Sequence, residues 1–305
     1  MAKKVFVIVL NWNGYQDTIE CVESLKGVDY PGLEIIIIEN GSTDGSEEMI
    51  RKRFPELTVI QTGVNLGFAG GSNAGLRHAL SSGADYMVLL NNDTTVDPSF
   101  VKELVRAAQT DERIGLLSSK VYFYGAPEVL WYAGGGFNPW LGWGRMRGYG
   151  RRDDGQFDAV EETDRAGGCS LMLTRRFCEK VGLFDEEYFC YCEDLDLGIR
   201  AKRAGFKVMY VPSSKVWHKE SKSTGGSTAA VSLYYTVRNT LKCVDKNNPL
   251  PFFLRMARYA SLLAISFLSL FTMKTPKIQG VKRIYQGARD YFQQRFGEFR
   301  PKNRP

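Results

Sequence analysis

The 305-residue chain has little of what several enzyme classes need. It holds only two histidines, His78 and His218. Its six cysteines, Cys21, Cys169, Cys178, Cys190, Cys192 and Cys243, form no C-x-x-C pair. Cys190 and Cys192 stand too close together to frame a zinc site without further ligands. All six read as small buried or half-buried thiols of a reducing compartment. No Gly-x-Gly-x-x-Gly follows the first apolar run and no phosphate-loop lysine is present, which disfavours nicotinamide and ATP binding of the usual kinds. Val5–Leu10 is too short for the apolar part of a secretion signal, so the body of the chain is expected in the cytoplasm. The longest uncharged apolar stretch near the C-terminus, Tyr259–Met273, has 15 residues, short of the about 20 that a membrane span needs.

Acidic residues are scarce in one region only. Residues 229–305 carry 14 Lys/Arg against 3 Asp/Glu, a net of +11, which leaves −5 of the total +6 for the other 228 residues. Such asymmetry points to an anionic partner of the tail. The tail's aromatics sit among long aliphatics and do not alternate with basic residues as a base-stacking platform would, so a nucleic acid is not expected. Arg255 and Arg258 precede Tyr259–Met273, and Lys274 and Lys277 follow it. This spacing suggests a helix lying on an anionic membrane surface, its cations reaching the headgroups. Packing on the body of the chain, or on a second copy in a homodimer, is the alternative.

What is present is a βαβα rhythm. Val5–Leu10, Leu33–Glu39, Leu57–Gln61 and Tyr86–Leu90 read as buried strands. Tyr15–Gly27, Thr43–Phe54, Ala69–Ser82 and Ser99–Ala108 read as the helices between and after them. The pattern predicts an α/β fold with a mostly parallel central sheet and helices on both faces. Further on, Leu171–Leu173 and Val208–Val211 read as strands, Arg175–Val181 and Glu193–Ala204 as helices. Tyr132–Arg152, rich in Gly, Trp and Arg, reads as a long functional loop, and Ser221–Ser227 as a hinge or flap. Helices are expected over Val231–Asp245, Phe252–Met273 and Gly280–Phe296.

Ligands of open α/β sheets bind beyond the carboxyl ends of the strands. All four early strands end in polar, glycine-containing loops: Asn11–Gly14, Glu39–Ser42, Asn65–Asn73 and Asn91–Thr94. Four such loops in register predict a nucleotide cleft. They nominate Asn11, Asn13, Glu39, Gly41, Asn65, Gly67, Gly70, Asn73 and Asn92 as its lining. Glu39 could accept hydrogen bonds from a ribose or base, or be a solvated loop carboxylate. The glycine amides of the third loop precede a helix, where the dipole favours phosphate. Asp93 suits Mg²⁺ or Mn²⁺ bridging a diphosphate, because a hard carboxylate and phosphate oxygens match such ions. Downstream, Glu193, Asp194 and Asp196 follow the aromatic run Tyr188–Tyr191 at a helix start. Acids there complement the helix dipole, and a carboxylate in a partly apolar wall is also what a general base requires.

These motifs, with Gly167–Cys169, Phe184–Glu186 and Trp217-His218, resemble family 2 glycosyltransferases of the GT-A fold, closest to the bacterial rhamnosyltransferase-like branch. The resemblance covers about residues 4–245. It implies a catalytic domain over 1–228, with a nucleotide-sugar half to about 120 and an acceptor half beyond, followed by a basic helical extension over 229–305. It implies an inverting transfer from a nucleoside diphosphate sugar to a glycan or lipid-linked acceptor at the inner face of the cell membrane. By position, Glu39 would contact base or ribose, and Asp93 would bind the metal, with Asn91 in the first position of a D-x-D motif and His218 completing the shell. Asp194 would be the base and Glu193 its neighbour at the acceptor; Gly168, Cys169 and Asp196 would line the acceptor or sugar. Relatives usually carry Asp at the position of Glu39, and many at Asn91. A site with one fewer anion is expected to hold metal weakly until the diphosphate arrives. A non-catalytic nucleotide-sugar-binding partner in a membrane assembly is the competing reading.

Overall fold

The computed structural model describes residues 2–300 apart from 139, 141, 221–229, 272 and 274. The stretch 221–227, expected as a flap, and Lys274 therefore lie outside the described residues. In chain order the elements are β1 (Val5–Asn11), α1 (Tyr15–Lys26), β2 (Leu33–Glu39), α2 (Ser46–Arg53), β3 (Thr58–Gln61), α3 (Gly67–Ser81), β4 (Tyr86–Asn91), β5 (Thr94–Val96) and α4 (Phe100–Ala108). Then come β6 (Ile114–Phe123), β7 (Ala126–Tyr132), β8 (Gly135–Asn138), β9 (Trp143–Met146), β10 (Glu161–Glu162), β11 (Ser170–Thr174), α5 (Arg175–Val181), α6 (Glu193–Arg203) and β12 (Lys207–His218). Three helices close the chain: α7 (Ala230–Asn247), α8 (Phe252–Ser269) and α9 (Lys277–Phe292).

Ten strands form one sheet in the order β10-β12-β6-β11-β4-β1-β2-β3, with β5 beside β12 and β7 beside β6. The strands β3, β2, β1 and β4 run parallel, as the βαβ rhythm requires. β11 lies antiparallel between β4 and β6, and β6 pairs parallel with β12. The continuous apolar runs are explained by burial on both faces. Val5, Val7 and Val9 pack towards α1 and α4, while Phe6 and Ile8 pack towards α3. Each such side chain contributes roughly 1.5–3 kcal/mol by leaving water. The register pairs Asn11 with Glu39, Glu39 with Gln61, and Leu10 with Asn91, so the polar strand ends share one edge of the sheet.

Three regions differ from the sequence reading. β6 was not expected as a strand, because Ser118, Ser119 and Lys120 interrupt its apolar run. All three are buried, Lys120 by pairing with Asp153 and Asp158 at 2.9 and 2.5 Å. The expected loop 132–152 contains a β8–β9 hairpin, whose strand Gly135-Gly-Phe-Asn138 gives no alternating signal. Val208–Val211 and Trp217-His218 belong to one strand, β12, with a register shift between Val211 and Lys215.

The C-terminal helices share an apolar core of Leu233, Val237, Leu241, Val244, Tyr259, Leu262, Ile284 and Tyr291. Gly287 permits close approach of α9 to α7, since a Cβ there would lie 2.6 Å from the Tyr234 carbonyl. Among the described residues, α8 is the helix long and apolar enough to cross a membrane by length and composition. Of the cations expected to reach lipid, Arg258 does not, and Lys277 makes contacts at the end of α8. Arg258 is fully buried and donates to Asp245 Oδ1 and the Asn248 carbonyl at 2.8 Å each. Lys277 Nζ donates to the Leu270 and Met273 carbonyls at the end of α8.

Candidate active site

The strand-end loops are bonded to one another. Glu39 is fully buried: Asn11 Nδ2 donates to its Oε2 at 2.5 Å and the Ser42 amide to its Oε1 at 2.8 Å. Burial and these partners rule out a solvated loop carboxylate. Thr18 Oγ1 donates to Asn11 Oδ1 at 2.7 Å, and Asn92 Nδ2 donates to Thr18 Oγ1 at 3.0 Å. Asn13, exposed, accepts from the Thr43 amide at 2.8 Å. Asn40 Nδ2 donates to Asn65 Oδ1 and to the Gly67 carbonyl, at 3.1 Å each. Gly41 has φ +73°, and a Cβ there would lie 2.5 Å from Val64 backbone, so only glycine fits.

Beyond β4 the turn at Asn92 and Asp93 leads into β5, which pairs with the end of β12 and sets His218 opposite Thr94. His218 Nε2 lies 3.1 Å from Asp93 Oδ1, and both residues are buried. The contact lacks hydrogen-bond alignment, and among the described residues neither imidazole nitrogen has a hydrogen-bond partner. The Trp131 ring stands nearly perpendicular to the imidazole, with ring centroids 4.8 Å apart. A buried histidine nitrogen beside a carboxylate is a donor pair that fits a divalent cation. Among the described residues no third His, Cys, Asp or Glu joins it. Asn91, half-buried at the end of β4, stands two residues from Asp93. Hard cations take their remaining ligands from phosphate oxygens and water.

The second carboxylate group sits at the start of α6. Glu193 and Asp194 are both buried. Burial, and then the neighbouring Asp194 charge, push the Glu193 carboxyl up to about 8. Its Oε2 has no hydrogen-bond partner among the described residues. Asp194 Oδ1 accepts from the Leu195 amide at 2.8 Å, and Oδ2 lies 3.4 Å from Nε and Nη2 of Arg165. The Asp194 charge raises the Arg165 proton affinity in turn. A Cβ on Gly168 would lie 3.4 Å from Asp194 Oδ2, so this residue lies directly against the carboxylate. Cys169 joins the two groups. Burial pushes its thiol up, and the charges of Asp93 and Asp194 both reach it. The Asn91 amide donates to the Cys169 carbonyl at 3.0 Å and Gly168 lies against Asp194, so the β4 turn that carries Asp93 and the carboxylates of α6 both border the start of β11.

A match to the glycosyl transferase family 2 model spans residues 6–179, more than half of the chain. The chain belongs to glycosyl transferase family 2. It is 30% identical over 222 residues to the N-acetylglucosaminyl-diphospho-decaprenol L-rhamnosyltransferase of Mycobacterium tuberculosis, covering 65% of this chain and 70% of that protein. It is 20% identical to the low-salt glycan biosynthesis hexosyltransferase Agl10 of Haloferax volcanii, covering 78% and 75%. These likenesses place this glycosyltransferase in the rhamnosyltransferase-like branch. The mannosyltransferase PcManGT of Pyrobaculum calidifontis, solved with GDP-Man and Mn²⁺, superposes with a TM-score of 0.62 at 16% identity, over 96% of this chain and 88% of that one. GalNAc-T7, solved with UDP, GalNAc and Mn²⁺, gives 0.58 at 17% identity, over 71% and 43%. The fold is therefore GT-A.

Within this family 2 enzyme, some residues nominated from sequence are engaged in contacts with other segments of the chain. Asn73 clips α3 to a distant segment: Nδ2 donates to the Phe184 carbonyl at 3.0 Å and to Glu186 Oε1 at 2.9 Å, and Oδ1 accepts from the Phe184 amide. Asp196 is fully buried on the far side of α6, where it accepts from Tyr188, Arg200, Lys246 and Asn247. It has no face left for an acceptor. Gly67 is explained by packing, since a Cβ would lie 2.4 Å from the Phe189 carbonyl. A Cβ on Gly70 would meet Leu66 at 2.7 Å. Sequence reasoning missed Arg165; the only signal was a charged pair, Asp164-Arg165, ahead of two glycines.

Proposed function

We propose that this glycosyltransferase moves a sugar from a nucleoside diphosphate donor to a hydroxyl of a glycan or lipid-linked acceptor in cell-surface polysaccharide synthesis, inverting the anomeric carbon. The observation that carries this reading is that the Gly168-Cys169 segment bonds to the end of β4, next to the Asp93–His218 pair, and lies against Asp194 at the start of α6. Asp93 and His218, with Asn91 on the same strand end, would hold Mg²⁺ or Mn²⁺, whose chemistry is neutralisation of the diphosphate charge. Asp194 takes the proton from the acceptor hydroxyl. The freed oxygen forms a bond to the anomeric carbon on the face opposite the diphosphate, and the bond from that carbon to the diphosphate oxygen breaks. Glu193, protonated at neutral pH, leaves a single negative charge on the pair. Arg165 steadies the Asp194 carboxylate before it receives the proton. Asn11, Asn13, Glu39, Gly41, Asn65 and Asn92 shape the nucleotide side of the cleft, Glu39 chiefly by holding the first two loops together. Gly168 and Cys169 leave room for the sugar beside the base.

The Mycobacterium tuberculosis relative makes dTDP- or UDP-linked donors, rhamnose among them, and a diphospholipid acceptor the first candidates. Such an acceptor suits a peripheral position on the inner face of the membrane. Phe253 and Leu268 on α8, Phe271 in the turn after it and Ile278 on α9 are exposed, and the net +11 of the tail adds attraction to anionic lipid. The deciding experiment is a thermal-shift screen of UDP-, dTDP- and GDP-sugars with Mn²⁺, followed by NMR of the transfer product. One donor class should stabilise the protein only with the metal, and the product should have the opposite anomeric configuration. Retention would overturn the mechanism. Donor binding without any turnover would favour the non-catalytic partner.

A further inference from the structure

The turn that carries the carboxylate pair is strained, and a single helix holds it from behind. Phe189, Tyr191 and Cys192 have φ of 65°, 66° and 71°. Residues with a Cβ avoid this region because Cβ crowds the backbone. Phe189, with ψ −63°, is the centre of a γ-turn of the disfavoured hand, closed by the Cys190 amide donating to the Tyr188 carbonyl at 2.8 Å. Glu193 follows directly.

The carbonyls of this turn meet α7. Asn239 Nδ2 lies 2.9, 2.7 and 2.8 Å from the carbonyls of Tyr188, Cys190 and Tyr191, so its two N–H bonds are shared among three acceptors. Arg238 Nε donates to Asn239 Oδ1 at 2.9 Å, which turns the amide so that its nitrogen faces the turn. Arg238 also donates from Nη2 to the Tyr188 carbonyl at 3.0 Å and from Nη1 to the Gly297 carbonyl at 2.7 Å. Both side chains are fully buried. From the other side, the Ala69 amide donates to the Phe189 carbonyl at 3.1 Å, and the Phe189 ring stacks on Tyr235.

We infer that Arg238 and Asn239 are positioning residues for the transfer step, fixing the turn that aims Asp194 at the acceptor. The inference rests on Asp194 being the base. Without Asn239, the carbonyls of Tyr188, Cys190 and Tyr191 would each lose a close hydrogen-bond donor, a costly change. Relaxing the positive φ angles would relieve it, and would rotate Cys192 and the first turn of α6 with it.

The test compares full-length N239A, R238K and L262A with the parent. L262A loosens the core of the same helices without touching the turn. In N239A, amide hydrogen exchange should rise over residues 189–196. Turnover of the donor selected by the screen above should fall about 10- to 100-fold, the scale of a slightly misplaced catalytic group. Donor affinity should stay within about twofold, because only a transition-state contact is lost. L262A should lower the melting temperature yet keep its turnover. R238K, which keeps the buried charge but lacks the fork, should show a smaller loss in turnover and serves if N239A does not fold. Folded N239A or R238K with the parent's turnover would overturn the inference, as would an equal loss in L262A. If D194N stays active while N239A does not, the clamp stands and the assignment of the base falls.

Discussion

The sheet and the C-terminal helices handle charge in opposite ways. In β1, β2 and β4 the strand interiors bury Val, Ile and Leu, and polar side chains collect at the carboxyl ends. In the helices the interior holds Arg238, Lys242, Arg258 and Asp290, while Phe253, Phe271 and Ile278 are 84%, 81% and 88% exposed. A buried polar group or an exposed large apolar one is the informative exception in any fold. At the sheet's carboxyl edge and at the start of α6 the buried polar groups include Asp93, His218, Glu193 and Asp194, the residues to which the proposed function gives the chemistry. In the helices the buried charges are fasteners, several of them bonded to the turn before α6. The exposed apolar side chains are the ones the proposed membrane contact would use.

This contrast can be broken at several points. The largest effect is expected at the sheet: D93A should abolish metal-dependent donor binding by calorimetry, and full activity in excess chelator would remove the metal from the argument. D194N should leave donor affinity nearly intact and lower turnover at least about 10²-fold, the usual worth of a positioned base. An intermediate effect is expected at the helices. The double variant F253S/F271S should keep turnover on a soluble acceptor and bind anionic vesicles at least about tenfold more weakly in flotation, since two aromatic side chains no longer enter the interface. Binding should also weaken with salt. A parent chain that stays unbound on anionic vesicles at low salt would show that the apolar face serves another contact, such as a second copy of the chain.

The smallest effect is expected at Glu193. Its carboxyl rises from 4.5 to about 8 on folding, so the folded state binds that proton more tightly than the unfolded state. The resulting stability is complete below about pH 4.5 and is lost as pH climbs to about 8. E193Q, permanently neutral, should keep turnover within a few-fold of the parent at neutral pH. Its melting temperature should fall less than the parent's between pH 5 and 8. Parallel melting curves would place the proton elsewhere.

The parallel half of the sheet was legible because each strand is a short apolar run ending in a turn residue, and both signals are local. Four loops and one acidic helix start drew attention to Asp93 and Asp194, and the family resemblance to His218; the fold sets Asp93 against His218 and buries Asp194 beside Arg165. Asn73 and Asp196 fasten segments to one another, and a polar residue near a cleft motif looks the same in the sequence whether it faces ligand or makes such a bond. β6 was hidden by Lys120, whose partners lie more than thirty residues away. Arg165 and Asn239 were hidden for the same reason, since their partners are 29 and about 50 residues distant in the chain. No periodicity encodes such pairings.

The seam between α7 and the turn before α6 also bears on modularity. A cut after residue 228, the boundary that the sequence suggests, would strip the turn of Asn239 and Arg238 and leave Asp196 without Lys246 and Asn247. Chimeras that exchange acceptor preference between relatives should therefore carry the segment 185–196 and the helix 230–247 as one cassette, with the junction placed after Asn248.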